Sequence, residues 1–475
     1  MSQKNKEQQI VELKIESIGL EGIAVARLDN LVYFLKKAVP GDKVLAEVQR
    51  KRRNHAEAKV IEVLEASPNR IEAKCSHFVS CGGCSWQNLQ YEQQLYWKRQ
   101  HVKDAFERIG KVEYKSIAET LPAPKPFNYR NKMEFSFGAS RWLEVHEISS
   151  ETEIENKNFA LGLHISGRYD KILEIKECHI QQEIGNLLLT LVRDKSLELG
   201  VSAYHLKEHH GFLKNLIIRY AEAYDEYMII SLSTSPTNEA EQEFLDWFTD
   251  ILPDLLGANV SMLIAINDTV SPVAQGNIIK VKGRDYLTEN ILGIDFRISP
   301  FSFFQTNSSQ LNNFVSKILD MAELSESQTV WDLYCGAGTI SLPASKRVKK
   351  VIGIELSESS IKNAKENAEL NNISNVDFYC EDLHKKYIPE LLNSLEKPDV
   401  IIIDPPRAGM HADLVNTLLE LEIPKITYVS CNPATQARDC ALLSVKYDVT
   451  ELQPVDMFPQ TYHVENIANL VLRDK

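Results

Sequence analysis

The 475-residue sequence contains no apolar run that approaches the roughly 18 residues of a membrane-spanning helix. Its first residues, MSQKNKEQQIVELK, contain no apolar signal core. Glycine, with 20 residues, and proline, with 18, are at ordinary levels, and 44% of the residues are hydrophobic. This composition excludes collagen-like, low-complexity and disordered proteins. The sequence therefore predicts a cytoplasmic protein without a membrane partner, built from about two to four domains.

Basic residues are fewer than acidic residues: the chain has 53 Lys and Arg and 66 Asp and Glu residues, a net charge of −13. Such a balance argues against a nucleic-acid partner. However, residues 1–70 contain 13 basic and 10 acidic residues, a net of +3, and include the run Arg50-Lys51-Arg52-Arg53. The rest, with 40 basic and 56 acidic residues, has a net charge of −16. The run fits either a phosphate-binding edge or a solvated loop, and charge alone does not separate the two.

The chain has only eight cysteines and no predicted secretory signal, which excludes a disulfide-stabilised scaffold. Cys75, Cys81 and Cys84 lie together in CSHFVSCGGC, and Cys178 lies much later, in IKECHI. Two glycines in the first segment permit the tight turn that a metal site needs. Four thiolates suit a 4Fe–4S cluster and tetrahedral zinc alike. The alternative is a set of ordinary structural thiols, above all for the isolated Cys178.

The N-terminal part reads as five short strands over residues 8–66, separated by glycine, proline and asparagine turns. Five such strands predict an OB-like barrel, a shape that commonly binds RNA. We place this barrel at residues 1–66 and a central α+β domain at residues 67–295. Helical spacing over residues 87–110 predicts a helix that packs on the C-terminal domain, residues 296–475.

In the C-terminal domain, apolar strands alternate with helices, and the strands are TVWDLYCG, VKKVIGIEL, VDFYCED, DVIIIDPP and ITYVSC. This alternation predicts a Rossmann-like α/β fold with a doubly wound parallel sheet. In such folds ligands bind at the carboxyl ends of the strands. The sequence motifs with chemical potential all fall at these strand ends.

The first motif is the glycine-rich turn DLYCGAGT at residues 332–339, followed about twenty residues later by Glu355. The glycines let the backbone approach a ligand closely, and Glu355 is placed to bind the hydroxyls of an adenosine ribose. The turn lacks the G-x-G-x-x-G fingerprint of NAD-binding proteins. We therefore favour S-adenosylmethionine as the cofactor, with NAD as the alternative.

The second motif, Asp404-Pro405-Pro406-Arg407, closes the strand VIIID. Its two prolines stiffen the turn, so that its edge can face a planar ring. Methyltransferases of exocyclic amines carry an aromatic residue where Arg407 stands, which disfavours amine methylation. The plain alternative is an ordinary turn at a strand end.

Two further motifs supply a nucleophile and a base. Cys431, in SCNP, ends a strand before a helix N-terminus, where the helix dipole favours a thiolate. Glu465, in HVEN, is a candidate general base, although a lone carboxylate is often only a surface residue. A thiolate that adds to carbon 6 of uracil activates carbon 5 toward a methyl donor. A base must then remove the carbon-5 proton, so these two residues predict uracil methylation.

With the FFQTN segment at residues 303–307, these motifs resemble the RNA uracil-C5 methyltransferases of the 23S rRNA and tRNA type over nearly the whole chain. The resemblance implies a TRAM barrel at the N-terminus, a central iron–sulfur domain and a C-terminal methyltransferase domain. It implies that Cys431 is the nucleophile, that Glu465 is the base and that the four cysteines ligate a 4Fe–4S cluster. The residues that it implies for binding S-adenosylmethionine are Gln305, Tyr334, Glu355, Asp382 and Asp404.

Three alternatives remain beside a monomeric 23S rRNA methyltransferase. A tRNA substrate is less favoured, because well-known bacterial tRNA-type members lack the barrel and the cysteine set. A non-catalytic RNA-binding or ribosome-assembly protein would not need Cys431, Glu465 and Asp404 together. A DNA cytosine-C5 methyltransferase usually has proline before its nucleophile, whereas Ser430 precedes Cys431 here.

Overall fold

The computed structural model describes residues 9–149, 154–165, 167–383, 385 and 388–474. The strands within these ranges form a closed barrel, a seven-stranded sheet, a two-stranded hairpin and an eight-stranded sheet. Among the same residues, no helix has both the length and the apolar character needed to cross a membrane.

The first five strands form the closed barrel, in the order β1-β2-β3-β5-β4 with β1 also paired to β4. They are β1 (Ile10–Ile18), β2 (Ala24–Leu28), β3 (Leu31–Leu35), β4 (Lys43–Lys51) and β5 (His55–Glu65). Alternate side chains such as Leu13, Ile15, Val44 and Ala46 are buried inside, as period-two patterning requires. The predicted N-terminal barrel is thus confirmed. The basic run lies exposed at the β4–β5 turn.

A helical connection follows the barrel. Helix α1 (Tyr91–Asp104) continues into a π-helical turn at Ala105–Gly110, and strand β6 (Tyr114–Ile117) comes next. Val102 and Phe106 are completely buried in the core of the C-terminal domain. The helix begins at Tyr91, later than the predicted residue 87, and packs against the C-terminal domain.

The central sheet is mixed and has the order β13-β12-β11-β10-β7-β8-β9. The elements are β7 (Lys132–Gly138), α2 (Val145–Ile148), β8 (Ala160–Ile165), β9 (Arg168–Glu174), α3 (Glu183–Leu199), β10 (Leu213–Ala221), β11 (Glu226–Ser233), α4 (Glu239–Asp250), α5 (Leu252–Leu256), β12 (Val260–Ile266) and β13 (Asn277–Lys282). Helices α3 and α4 pack on it through side chains such as Leu188, Val192, Phe244 and Phe248. The hairpin of β14 (Leu287–Ile291) and β15 (Ile294–Ile298) contributes to a core shared with the C-terminal domain.

The C-terminal sheet has the order β18-β17-β16-β19-β20-β22-β21-β6. Its remaining elements are α6 (Ser308–Ala322), β16 (Thr329–Leu333), α7 (Ser341–Ser345), β17 (Lys350–Glu355), α8 (Glu358–Leu370), β18 (Val376–Cys380), α9 (Ile388–Ser394), β19 (Val400–Ile403), α10 (Ala412–Leu421), β20 (Lys425–Ser430), α11 (Pro433–Leu443), β21 (Tyr447–Val455) and β22 (Glu465–Leu472).

The first five strands of this sheet are parallel and have cores on both faces, which confirms the predicted Rossmann-like fold. Strand β22 is antiparallel to both its neighbours, and β6 joins the far edge parallel to β21. Residues 67–295 therefore contribute one strand to this sheet. The strand order reverses between β16 and β19, and the carboxyl ends of these strands are the expected ligand site.

Candidate active site

The glycine-rich turn after β16 presents its backbone to the cleft. Tyr334, Gly336 and Gly338 all have positive φ angles, of 67°, 54° and 84°. The N–H groups of Tyr334 and Cys335 donate to the carbonyl of Ile354 on β17, at 2.8 and 3.1 Å. A Cβ atom added at Gly336 would meet no atom of the described residues within 4 Å. The turn is thus anchored on one side and open on the other, as a close approach to a ligand requires.

Glu355 ends β17 and lies against this turn. One carboxylate oxygen accepts a hydrogen bond from the N–H of Gly336 at 3.2 Å, and the other accepts from the N–H of Ser357 at 2.9 Å. Each carboxylate oxygen retains capacity for a further bond. The carboxylate is therefore fixed at the position that the sequence assigns to ribose binding.

Two more carboxyl groups lie at the switch point, on Asp332 in β16 and Asp404 after β19. Burial raises the pKa of each to about 7, and the negative charges of Asp404 and Glu355 also raise that of Asp332. The hydroxyl of Ser341 donates to one oxygen of Asp332 at 2.5 Å, whereas the other oxygen is buried without a partner among the described residues. Such a cleft suits a cationic ligand, and S-adenosylmethionine carries sulfonium and ammonium charges. Asp332 was not among the predicted site residues, although an acidic residue inside an apolar strand was the available signal.

The other predicted cofactor residues are Tyr334, Asp382 and Gln305. Burial raises the pKa of the Tyr334 hydroxyl, and the charges of Asp382 and Glu355 add to this effect, so these groups share one edge of the sheet. Gln305 lies between Phe304 and Thr306, which line the cavity of the four cysteines. Its carbonyl accepts a hydrogen bond from the side chain of Asn131 at 2.8 Å.

Cys431 and Glu465 lie at the adjacent ends of β20 and β22. The last pair of this antiparallel ladder is Ser430 with Asn466, so the next positions on the two strands are Cys431 and Glu465. The Glu465 side chain is buried, with 5% of the residue exposed. Asn432 caps helix α11 by accepting from the N–H of Ala434 at 3.1 Å. The fold thus brings together a thiol and a carboxyl group that are far apart in sequence.

The electrostatic surroundings of this pair differ from the expectation for Cys431. Burial, followed by the negative charge of Glu465, raises the pKa of the Cys431 thiol to about 11, although Arg407 lowers it in part by charge and hydrogen bonding. Burial therefore opposes the thiolate that the sequence predicts at Cys431, and Arg407 favours it. Burial, together with the charge of Asp404, raises the pKa of Glu465 to about 8. Both shifts favour the protonated forms of these groups in the protein without its ligands.

A cavity of about 320 Å³ opens above Cys431. Its wall includes Arg407 and His463 from the C-terminal domain and His101 from α1. Leu20 and Glu21, in the turn between β1 and β2, complete it. The barrel therefore reaches the candidate catalytic pocket, a contact that no local sequence pattern could indicate.

The four cysteines of the predicted metal set line a separate cavity of about 470 Å³. All four are free thiols, and burial raises the pKa of Cys84 to about 12, with the other three thiols adding to the shift. The described ranges nevertheless contain no group of three or more His, Cys, Asp or Glu side chains arranged to hold a metal ion. The structure thus brings the predicted residues to one cavity but does not show a metal centre there.

Comparisons with known proteins agree with this architecture. Residues 269–473 match the model of the tRNA (uracil-5-)-methyltransferase family, and residues 4–61 match the TRAM domain. An uncharacterized RNA methyltransferase of Bacteroides thetaiotaomicron is 41% identical over 458 residues, which cover 96% of this chain and all of the relative. One from Chlorobaculum tepidum is 40% identical over 431 residues, 90% of this chain and 89% of the relative.

A solved structure is also similar over its full length. It is the tRNA (uracil-54, C5)-methyltransferase of Pyrococcus abyssi in complex with S-adenosyl-L-homocysteine. The two chains are 27% identical with a TM-score of 0.74, and the match covers 97% of this chain and all of the other. The chain therefore belongs to the RNA uracil-C5 methyltransferase family and is an S-adenosylmethionine-dependent RNA methyltransferase.

Proposed function

We propose that this enzyme methylates carbon 5 of a specific uridine in RNA through a covalent bond between Cys431 and carbon 6 of the base. The observation that carries the proposal is the position of Cys431 opposite Glu465, with Asp404 of the candidate cofactor cleft near enough for its charge to raise the pKa of both. When bound in that cleft, S-adenosylmethionine supplies an electrophilic methyl group.

The chain's own residues account for the remaining steps. Cys431 and Glu465 first lose their protons to solvent. The thiolate of Cys431 then adds to carbon 6, and the electron pair of the carbon 5–carbon 6 double bond moves toward oxygen 4 as an enolate. Once carbon 5 has bonded to the methyl carbon, the carboxylate of Glu465 takes the carbon-5 proton. The released electron pair re-forms the double bond and expels the thiolate. Arg407 stabilises both anionic side chains, since its charge lowers the pKa of each.

For the substrate we propose 23S rRNA, on the basis of the barrel combined with the cysteine set. A tRNA is the second candidate, and a specific observation favours it: the Pyrococcus abyssi tRNA enzyme matches along its whole length. Because a tRNA enzyme matches along its whole length, the barrel by itself does not distinguish an rRNA substrate from a tRNA substrate. Mapping 5-methyluridine in the rRNA and tRNA of a gene-deletion strain separates them. Loss of a modified uridine from 23S rRNA supports the proposal, and loss from tRNA supports the second candidate.

We further propose that Cys75, Cys81, Cys84 and Cys178 hold a 4Fe–4S cluster. The support is their convergence on one cavity. Four thiolates suit a tetrahedral zinc ion as well, and iron and sulfide analysis separates the two. Lys37 lies beside the set: burial lowers the pKa of its ammonium, and the charges of three of these thiols raise it in part.

A further inference from the structure

A short turn connects the four-cysteine cavity to the catalytic pocket. It consists of Ser85 and Trp86, which directly follow Cys84. Their two N–H groups both donate to the carbonyl of Gln460, at 2.9 and 3.0 Å. The hydroxyl oxygen of Ser85 accepts a hydrogen bond from the N–H of Tyr462 at 3.1 Å. A segment next to a cavity-lining cysteine therefore contacts the loop that leads into β22.

This loop, residues 456–463, is held in a conformation that its own backbone disfavours. Gln460 has a φ of +67°, which a residue with a side chain adopts only when its surroundings impose it. The side chains of Gln94 and Gln460 share a hydrogen bond of 3.0 Å, and Gln94 also accepts from the Gln460 N–H at 2.9 Å. Both residues are buried, at 1% and 3% exposed. Lys98 and Asp456 form an ion pair of 2.5 Å with fully buried side chains.

The loop in turn forms part of the catalytic pocket. Tyr462 and His463 line the cavity above Cys431, and their rings lie 4.2 Å apart between centroids. Glu465 follows two residues later. A shift of Tyr462 would therefore displace the pocket wall and the start of β22 together, because no flexible linker separates them.

We propose that Ser85 is a positioning residue that transmits the geometry of the four-cysteine site to the catalytic pocket. This inference rests on the proposed function, since it assumes that Cys431 and Glu465 carry the reaction. The Ser85 hydroxyl fixes Tyr462, and Tyr462 fixes the wall next to His463. Cys84 directly precedes Ser85 in the chain, so the position of Cys84 restrains that of Ser85. The cysteine site thus contributes to catalytic geometry in addition to stabilising the central domain.

Three variants test this inference. Ser85→Ala removes the acceptor for the Tyr462 N–H, whereas Ser85→Thr retains it. Ser76→Ala is the matched control, because Ser76 lies in the same cysteine-bearing segment but its hydroxyl donates to the half-exposed Glu177, at 3.3 Å. The measurements are kcat, KM for RNA and for S-adenosylmethionine, and the alkylation rate of the Cys431 peptide in RNA-free protein by mass spectrometry. The second readout does not depend on turnover.

We expect Ser85→Ala to lower kcat by about three- to tenfold, the range for loss of one hydrogen bond, and to leave KM for S-adenosylmethionine unchanged. The alkylation rate of the Cys431 peptide should also differ from the wild-type rate in this variant. Ser85→Thr should restore both values, Ser76→Ala should match the wild type, and Cys84→Ser should reproduce the kcat loss.

If Ser85→Ala has the same kcat and the same Cys431 alkylation rate as the wild type, the inference is wrong. A loss that Ser85→Thr does not restore, accompanied by a lower melting temperature, would also overturn it, because that pattern indicates a general packing defect. Failure of the proposed function is a separate result, namely wild-type turnover by Cys431→Ala.

Discussion

Cys431 lies opposite Glu465, one position beyond the last ladder pair of β20 and β22. The antiparallel insertion of β22 next to β20 creates this relationship. Glu465 is the first residue of β22, and Cys431 follows the carboxyl end of β20. If β22 ran parallel to β20, its first residue would lie at the amino end of β20, far from Cys431. The departure from a purely parallel fold thus places a carboxyl group beside the candidate nucleophile.

The reactivity of Cys431 should depend strongly on pH. Its pKa of about 11 means that alkylation by iodoacetamide rises with pH well beyond neutrality, because only the thiolate reacts. In Glu465→Gln the apparent pKa should fall, since the carboxylate charge that raises it is gone. Peptide-resolved mass spectrometry measures both, with the exposed Cys380 as an internal reference. An unchanged apparent pKa in Glu465→Gln would show that the two groups do not interact.

The buried Glu465 should make stability fall as pH rises. Its folded-state pKa is about 8 against an ordinary value of 4.5, so between these values the folded protein binds more protons than the unfolded chain. Stability contributed by the neutral carboxyl is therefore lost from about pH 4.5 to about pH 8. Glu465→Gln should gain relative stability by up to roughly 1.4 kcal/mol per pH unit in this window.

Urea unfolding at about pH 5 and about pH 8 checks this gain. Glu420→Gln serves as the control, because Glu420 is an exposed carboxylate on α10. A Glu465→Gln effect that is equal at both pH values would contradict the assigned burial effect.

The basic run of the barrel should bind phosphate. Replacing Arg50, Lys51, Arg52 and Arg53 with alanine should weaken RNA binding and reduce the slope of log affinity against log salt by about 1–3. Cofactor binding should not change, because its cleft lies in the C-terminal sheet. Lys362→Ala with Lys365→Ala, two exposed lysines of α8, is the matched control. An unchanged salt slope would identify the run as a solvated loop.

The cysteine set should contain iron in protein purified without oxygen. We expect about four iron and four sulfide ions per chain and a brown colour, both lost in Cys178→Ser. Cys380→Ser, which changes an exposed cysteine that does not line the cavity, should retain both. If analysis finds about one zinc ion and no sulfide per chain, the cysteines hold zinc and not a cluster. No metal at all would leave four structural thiols.

Local patterns were sufficient to predict the barrel and the parallel strands. In the barrel, alternation of residues such as Leu13 and Ile15 with polar neighbours has the two-residue period of a half-buried strand. In the C-terminal domain, continuous apolar strands such as Val400–Ile403 indicate burial on both faces. These signals lie within single elements, so they can be read without knowing the fold.

Contacts between distant elements could not be predicted in this way. Nothing near Leu20 indicates that the β1–β2 turn reaches the pocket of Cys431, and nothing in β6 indicates that it joins the C-terminal sheet. The raised pKa of Cys431 was also out of reach, because it depends on burial and on Glu465 and Asp404. The motifs predict Cys431, Glu465 and Asp404 as site residues. Only the assembled fold shows that the negative charges of the two carboxylates raise the pKa of the thiol.

The most direct test of the account is a covalent adduct formed by Glu465→Gln with uridine-containing substrate RNA and S-adenosylmethionine. The amide cannot remove the carbon-5 proton, so methyl transfer should occur and elimination of Cys431 should stall. We predict a protein–RNA species that survives denaturing electrophoresis, carries the methyl group and maps to the Cys431 peptide. It should be absent when Cys431→Ala is added to the same variant. Normal turnover by Glu465→Gln without an adduct, or an adduct at another cysteine, would contradict the account.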